Sequence, residues 1–315
     1  MAILPQTTPV PNPILIFMPG TSRAGSAPAA PSQTPLPIPD RTAAGSEAEG
    51  RTTTTQEAGG GHKDPDEKFP QPKLRLEIRD LGHPGAVRFL SSVNASQVLR
   101  DAVANVLRLL YASPSEPTTH VPPTRSVTVV LRDMGGVAYT TGSDLDDDHK
   151  EIHFSLGYIA GINPRDGQPG GAQRATDEIT GVLTHELVHC YQYNAKGTCP
   201  GGLIEGIADW VRLNCDLSPP HWRRETSGKW DGGYQHTAYF LEYLEGRFGS
   251  GTVRRLNEKL RTQRYEEKRF WTELLGRPVE QLWGDYVDKV KEDEGAAAQN
   301  GDSKESSTVD EGTQT

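Results

Sequence analysis

The sequence predicts an α+β domain, a small β-sheet followed by a helical half, held between two disordered tails. Three observations carry this expectation. Short alternating or β-branched runs end near residue 158. From Ala175 onward apolar residues recur at helical spacing. Residues 1–70 and 293–315 show neither pattern.

The N-terminal segment, residues 1–70, is rich in Pro, Thr, Ser, Ala and Gly, as in Ala29-Ala30-Pro31-Ser32 and Gly59-Gly60-Gly61. Such a composition cannot bury enough apolar surface to offset the entropy of ordering. The tail from residue 293 is polar and aperiodic and is expected to behave the same way. This leaves 71–292 as one folded domain. The hydrophobic content of 34% over 315 residues is low for a globular chain, and the two tails account for it.

Within the domain, Leu74–Ile78 alternates apolar and polar residues as a half-buried strand does. Ala95–Tyr111 carries Val98, Ala102, Val103, Val106, Leu107 and Leu110 at helical spacing. Ser126–Arg132, with Val127, Val129, Val130 and Leu131, reads as a strand, and Glu151–Tyr158 as another. Asp144–His149 between them reads as a solvated acidic loop, without the ligand spacing of a calcium loop. The helical half is expected to break at 197–202, 219–233 and 276–278, where Gly and Pro cluster.

Charge and hydropathy exclude two partner classes. Lys and Arg number 33 and Asp and Glu 42, a net charge of −9, so no basic field exists for nucleic acid. The strongest early apolar run, Ile14–Met18, is far too short to cross a membrane. Residues 1–22 contain neither Lys nor Arg, so no conventional export signal is read there. Three cysteines, Cys190, Cys199 and Cys215, define no disulfide framework by count. Cys199 and Cys215 flank one helix and are candidates for a bridge in an oxidising compartment.

The chemistry concentrates in Thr184-His185-Glu186-Leu187-Val188-His189-Cys190, an H-E-x-x-H sequence. On a helix, His185 and His189 project from one face a turn apart, which suits two ligands of one tetrahedral zinc. Glu186 then sits beside the metal, placed to take a proton from the water that the metal activates. Sixteen residues after His189 comes Glu205, in Gly202-Leu203-Ile204-Glu205-Gly206-Ile207-Ala208-Asp209-Trp210-Val211. A helix end, a loop and a second helix can fold back over that distance, making Glu205 the third zinc ligand. Asp209 shares a face with Glu205 and is placed to accept the free N–H of a ligand histidine. The alternative is a solvated helix face, but an unpaired carboxylate within so apolar a segment is costly.

The strings Thr184–Gln192 and Gly202–Leu213 resemble the plant basic secretory protein family, zinc peptidases found also in fungi and bacteria. Gly233-Tyr234, Thr237–Leu241, Leu274-Leu275-Gly276 and Gln281-Leu282-Trp283 extend the resemblance over roughly 73–290. It implies a zincin-like metallopeptidase domain, with His185, His189 and Glu205 as zinc ligands, Glu186 as base and Asp209 behind the ligands. It also implies peptide or protein substrates and a secreted protein, whereas the absent export signal points to the cytoplasm.

For a donor to the developing oxyanion, Tyr234 is the first candidate and His236 the second, both at the start of a helix after Gly232-Gly233. A packing tyrosine is the competing reading. The strand around Glu151–Ser155 is a candidate to line the cleft and pair with extended substrate, with His153 as neighbour or as ordinary strand residue. Trp222, Trp230, Trp271 and Trp283 read as core or interface anchors. The competing function is a non-catalytic binding or defence-type protein that keeps zinc, or a zinc hydrolase for another bond. Three ligands leave an open coordination position, and a retained Glu186 has no use in a structural site; both favour catalysis.

Overall fold

A computed structural model describes residues 68–143, 146–162 and 171–305. The N-terminal segment to residue 67 and the last ten residues, both expected to be disordered, lie outside the described residues. Four strands form one mixed sheet: β1 (Lys73–Ile78), β2 (Ser126–Arg132), β3 (Ala138–Gly142) and β4 (His149–Ser155). Their spatial order is β1-β2-β4-β3. β1 and β4 pair parallel to β2, and β3 pairs antiparallel to β4 at the edge. Among the described residues nine helices accompany the sheet, most of them after it, so the class is α+β.

Side-chain alternation sorts the sheet into two faces. On the inner face Leu76, Val129 and Ile152 stand in register, and the fourth member of that row is Thr140 of β3. An apolar row therefore ends in one hydroxyl. This face is covered by α2 (Ala95–Leu110) and α4 (Gly171–His189), which pack on each other, α2 reaching β1 and α4 reaching β3. Val103, Val106, Leu107, Ile179, Leu183 and Leu187 are almost fully buried there. Asn94 caps α2 by accepting from the Gln97 N–H.

The strand expected over Glu151–Tyr158 stops at Ser155. That serine accepts from the Tyr158 N–H and caps a short helix, α3 (Leu156–Gly161). The apolar run continues through both elements, so periodicity could not locate the change. The helix α1 (Pro84–Ser92) has His83 as its cap, Nδ1 accepting from the Gly85 N–H.

α4 ends at His189, earlier than the absence of Pro and Gly before Ala195 suggested. Tertiary partners take over the backbone there. Tyr111 Oη donates to the Tyr191 carbonyl, Thr124 Oγ1 donates to that of Cys190, and Asn257 Oδ1 accepts from the Tyr193 N–H. The chain then returns as α5 (Gly201–Leu213), so Gly201 and Gly202 lie inside a helix instead of in the expected break.

α4 and α5 run antiparallel. His185 meets Glu205 and Asp209 near one end, and Glu178 meets Arg212 two turns away. At that second crossing Arg212 Nη2 donates to Glu178 Oε2 at 3.0 Å and Nε donates to the Leu217 carbonyl at 2.9 Å. Tyr158 Oη donates to the other Glu178 oxygen at 2.7 Å, and the guanidinium lies 5.4 Å from the Trp222 ring centre. Gly181 lies beneath it, where a Cβ would come within 2.5 Å of Arg212 Nε. Gly206 plays the same part on the other side of α5, where a Cβ would meet Thr237 at 2.3 Å. The absence of a side chain at each position lets the helices approach this closely.

Thr237 belongs to α6 (Tyr234–Phe248), followed by α7 (Thr252–Thr262), α8 (Glu267–Leu275) and α9 (Val279–Glu305). α9 continues through the expected boundary at residue 292. Trp230, Phe240 and Trp271 form one aromatic cluster, which Trp283 and Tyr286 join through Phe240. Trp230 and Trp271 are core anchors as the sequence suggested, Trp283 packs half-buried against the same core, and Trp222 is buried outside it, against Tyr239 and Arg212. No described helix is long and apolar enough to cross a membrane.

Candidate metal centre

The last turn of α4 and the first half of α5 converge on one point. His185 Nε2 lies 3.2 Å from His189 Nε2 and 3.1 Å from Glu205 Oε2, and His189 Nε2 lies 3.8 Å from Glu205 Oε2. A tetrahedral zinc with bonds of about 2.0–2.1 Å holds its ligand atoms roughly 3.4 Å apart. The three side chains therefore present one donor atom each at the spacing such an ion requires.

Asp209 fixes how His185 faces that point. Its Oδ1 lies 2.7 Å from His185 Nδ1, so the Nδ1–H donates to the carboxylate and Nε2 is turned toward His189 and Glu205. Both are nearly buried. Asp209→Asn keeps the shape and removes the charge, so the metal Kd is expected to rise roughly 10–100-fold, read by competition with a chromophoric chelator. An unchanged Kd would make Asp209 a packing residue only.

Burial and crowding act on each member of the cluster differently. Burial opposes a charged His185, yet Asp209, Glu205 and Glu186 outweigh it and lift its pKa to about 10. Burial lowers His189 to about 4, only partly countered by Glu205. Burial alone would raise Glu205, but the hydrogen bond from His185 and the two imidazoles turn the net shift downward. Three carboxylates, Glu186, Glu205 and Asp209, thus crowd two histidines, an arrangement suited to a divalent ion.

Glu186 is not one of the three donors. Its carboxylate, 2% exposed, takes a hydrogen bond of 2.7 Å from Thr140 Oγ1, which also reaches the Glu186 carbonyl at 3.0 Å. Burial raises the Glu186 pKa to about 7 against the lowering effects of His185 and Thr140. Thr140 escaped the sequence reading, since H-E-x-x-H carries no information about which strand will pack beside it.

Tyr234 opens α6 with φ of +47°, in the left-handed region that disfavours a tyrosine. Its ring stacks on His185 with centres 6.3 Å apart and planes 14° apart, and is 36% exposed. Burial and the nearby Glu205, Asp209 and Glu186 push its pKa upward, so the hydroxyl keeps its proton. His236 is occupied elsewhere, with Nε2 2.7 Å from the Lys229 carbonyl and its ring against Trp283.

One further expectation changes. β4 lies between β2 and β3, so the Glu151–Ser155 strand has no free edge for a substrate, and β3 is the edge strand instead. His153 is in register with Tyr139, its ring stacked on that residue's, and faces away from Thr140, as an ordinary strand residue. Of the acidic loop, Asp144 lies outside the described residues. Asp146 and Asp148 pair with Arg125, and Asp147 with Lys150. Cys190, Cys199 and Cys215 are unpaired, and Cys190 is a buried core residue.

No curated protein and no solved structure matches the chain. Residues 71–286, well over half of its length and including every residue of the cluster, match the family described as peptidases of plants and bacteria, the basic secretory protein family, and the chain belongs to it.

Proposed function

We propose that the protein is a zinc-dependent peptidase in which His185, His189 and Glu205 hold the metal and Glu186 is the general base. The observation that carries this reading is the convergence of three potential ligand atoms, 3.1–3.8 Å apart, on one point, with Glu186 close by but outside that set. Membership in a peptidase family supports a peptide bond as the substrate.

Zinc held by His185, His189 and Glu205 would supply a Lewis acid for the scissile carbonyl and for water. Glu186 takes the proton of the attacking water on its carboxylate and returns it to the leaving amine. Burial makes this carboxylate a stronger base than an exposed glutamate, which favours taking the proton. Thr140 holds that carboxylate in one orientation through its 2.7 Å bond. Tyr234 Oη, kept protonated, donates to the oxygen that gains negative charge. Its strained backbone is tolerated because the side chain is needed beside His185. The edge strand β3 offers backbone groups along which an extended peptide can lie.

The test is metal analysis followed by casein digestion. One zinc per chain is expected, with cleavage abolished by a chelator and restored by zinc. Cleavage untouched by the chelator would overturn the proposal. Binding must also displace the proton of His185, whose pKa of about 10 keeps it charged when no metal is bound. Apparent zinc affinity is therefore expected to fall about tenfold per unit as pH drops from 9 to 7, read by titration calorimetry.

A further inference from the structure

Asp209 accounts for one ligand histidine; the other has a partner too. Gln192 follows His189 by three residues as the chain leaves α4, and its Nε2 lies 2.7 Å from His189 Nδ1. The other end of the same amide, Oε1, is buried and meets no donor among the described residues. A buried carbonyl oxygen left without a donor is costly and calls for an explanation.

The hydrogen-bond direction between these two side chains decides what His189 can do. A neutral imidazole carries one N–H. With the amide donating to Nδ1, that hydrogen sits on Nε2, aimed at His185 Nε2 3.2 Å away, and no lone pair faces the cluster. With the amide turned by half a rotation, Oε1 replaces Nε2 at the same place and accepts from Nδ1–H. The orphaned oxygen then gains its donor, and His189 Nε2 presents a lone pair toward Glu205 and His185. One rotation about a terminal bond gives the oxygen a donor and His189 a lone pair toward the cluster, and it leaves the amide NH2 in the place that the oxygen held.

We propose that Gln192 is the positioning residue of the second metal ligand, its Oε1 accepting from His189 Nδ1–H when a divalent cation occupies the cluster. The proposal rests on reading that cluster as a metal centre. Gln192 does for His189 what Asp209 does for His185, with a neutral acceptor in place of a carboxylate. The two histidines are thus oriented by partners of unequal charge, supplied by α5 for one and by the next turn of chain for the other.

Zinc Kd values of the parent, Gln192→Met and Gln192→Glu, measured by chelator competition, test the assignment. Methionine keeps the length and removes the acceptor, and is expected to weaken zinc roughly 10–100-fold. Glutamate, which can only accept, is expected to restore at least parental affinity, although a buried charge would harm a residue that merely packs. Zinc binding by Gln192→Met within twofold of the parent, or Gln192→Glu as weak as Gln192→Met, overturns the assignment. Should Gln192→Met fail to fold, the zinc-loaded parent decides. Nitrogen-15 spectra are expected to show a His189 Nδ1 proton protected from exchange with water, and free exchange of that proton refutes the hydrogen bond. A parent that binds no zinc at all fails differently, by removing the metal centre itself.

Discussion

Glu186→Gln is expected to keep its zinc and lose about 10²–10⁴-fold in kcat for peptide hydrolysis. The side chain is buried, and its carboxylate already meets Thr140 Oγ1. Glutamine has the same shape, and its carbonyl oxygen can accept that same bond, so the fold and the neighbouring side chains are undisturbed. What it lacks is the ability to take a proton. Because Glu186 lies outside the proposed donor set of His185, His189 and Glu205, zinc content should remain that of the parent. Metal analysis beside single-turnover rates separates the two effects. A variant that retains zinc and cleaves within tenfold of the parent would falsify the base assignment.

Arg212→Met is expected to cost about 3–5 kcal/mol of folding stability, because it strands a carboxylate. Glu178, 15% exposed at its side chain, would keep only the Tyr158 hydroxyl as partner. For a domain of this size such a loss lowers Tm by roughly 6–20 °C. Glu178→Gln in the same chain removes the stranded charge and should recover much of the loss, which a packing defect at Arg212 alone would not allow. A loss below about 1 kcal/mol would show that Glu178 reaches water easily. The effect should extend to the His185–Glu205 cluster. Glu178–Arg212 and His185–Glu205 are two crossings of the same helix pair, so loosening one changes the reach of the other.

Much of this arrangement is legible in the sequence, and the reasons are specific. β1, α2 and β2 fall where alternation and helical spacing put them, because each buries one well-patterned face. The H-E-x-x-H spacing and the carboxylates at 205 and 209 identify the cluster, since their geometry is set by helix pitch and one short connection. β3 was missed because Ala-Tyr-Thr-Thr-Gly, at an edge and mostly half-exposed, carries no alternation. With it went Thr140, whose role depends on strand order rather than on neighbours in sequence. Arg212 and Glu178 are far apart in the chain, and nothing local marks them as partners. Gln192 was within reach, since it lies three residues beyond His189. Its meaning depends on the orphaned oxygen, which only packing reveals.

The short span from His185 to Glu205 has a thermodynamic corollary. An unfolded chain still carries two imidazoles four residues apart and can chelate an ion weakly through them. What the native state adds is the Glu205 carboxylate, swung into place when α5 docks on α4. By linkage, an ion stabilises a protein only as far as it prefers folded over unfolded chain. That preference is concentrated at this one docking step. Chelation should therefore weaken the α4–α5 pair first, while the sheet and the tryptophan cluster of the C-terminal helices stand on their own apolar contacts.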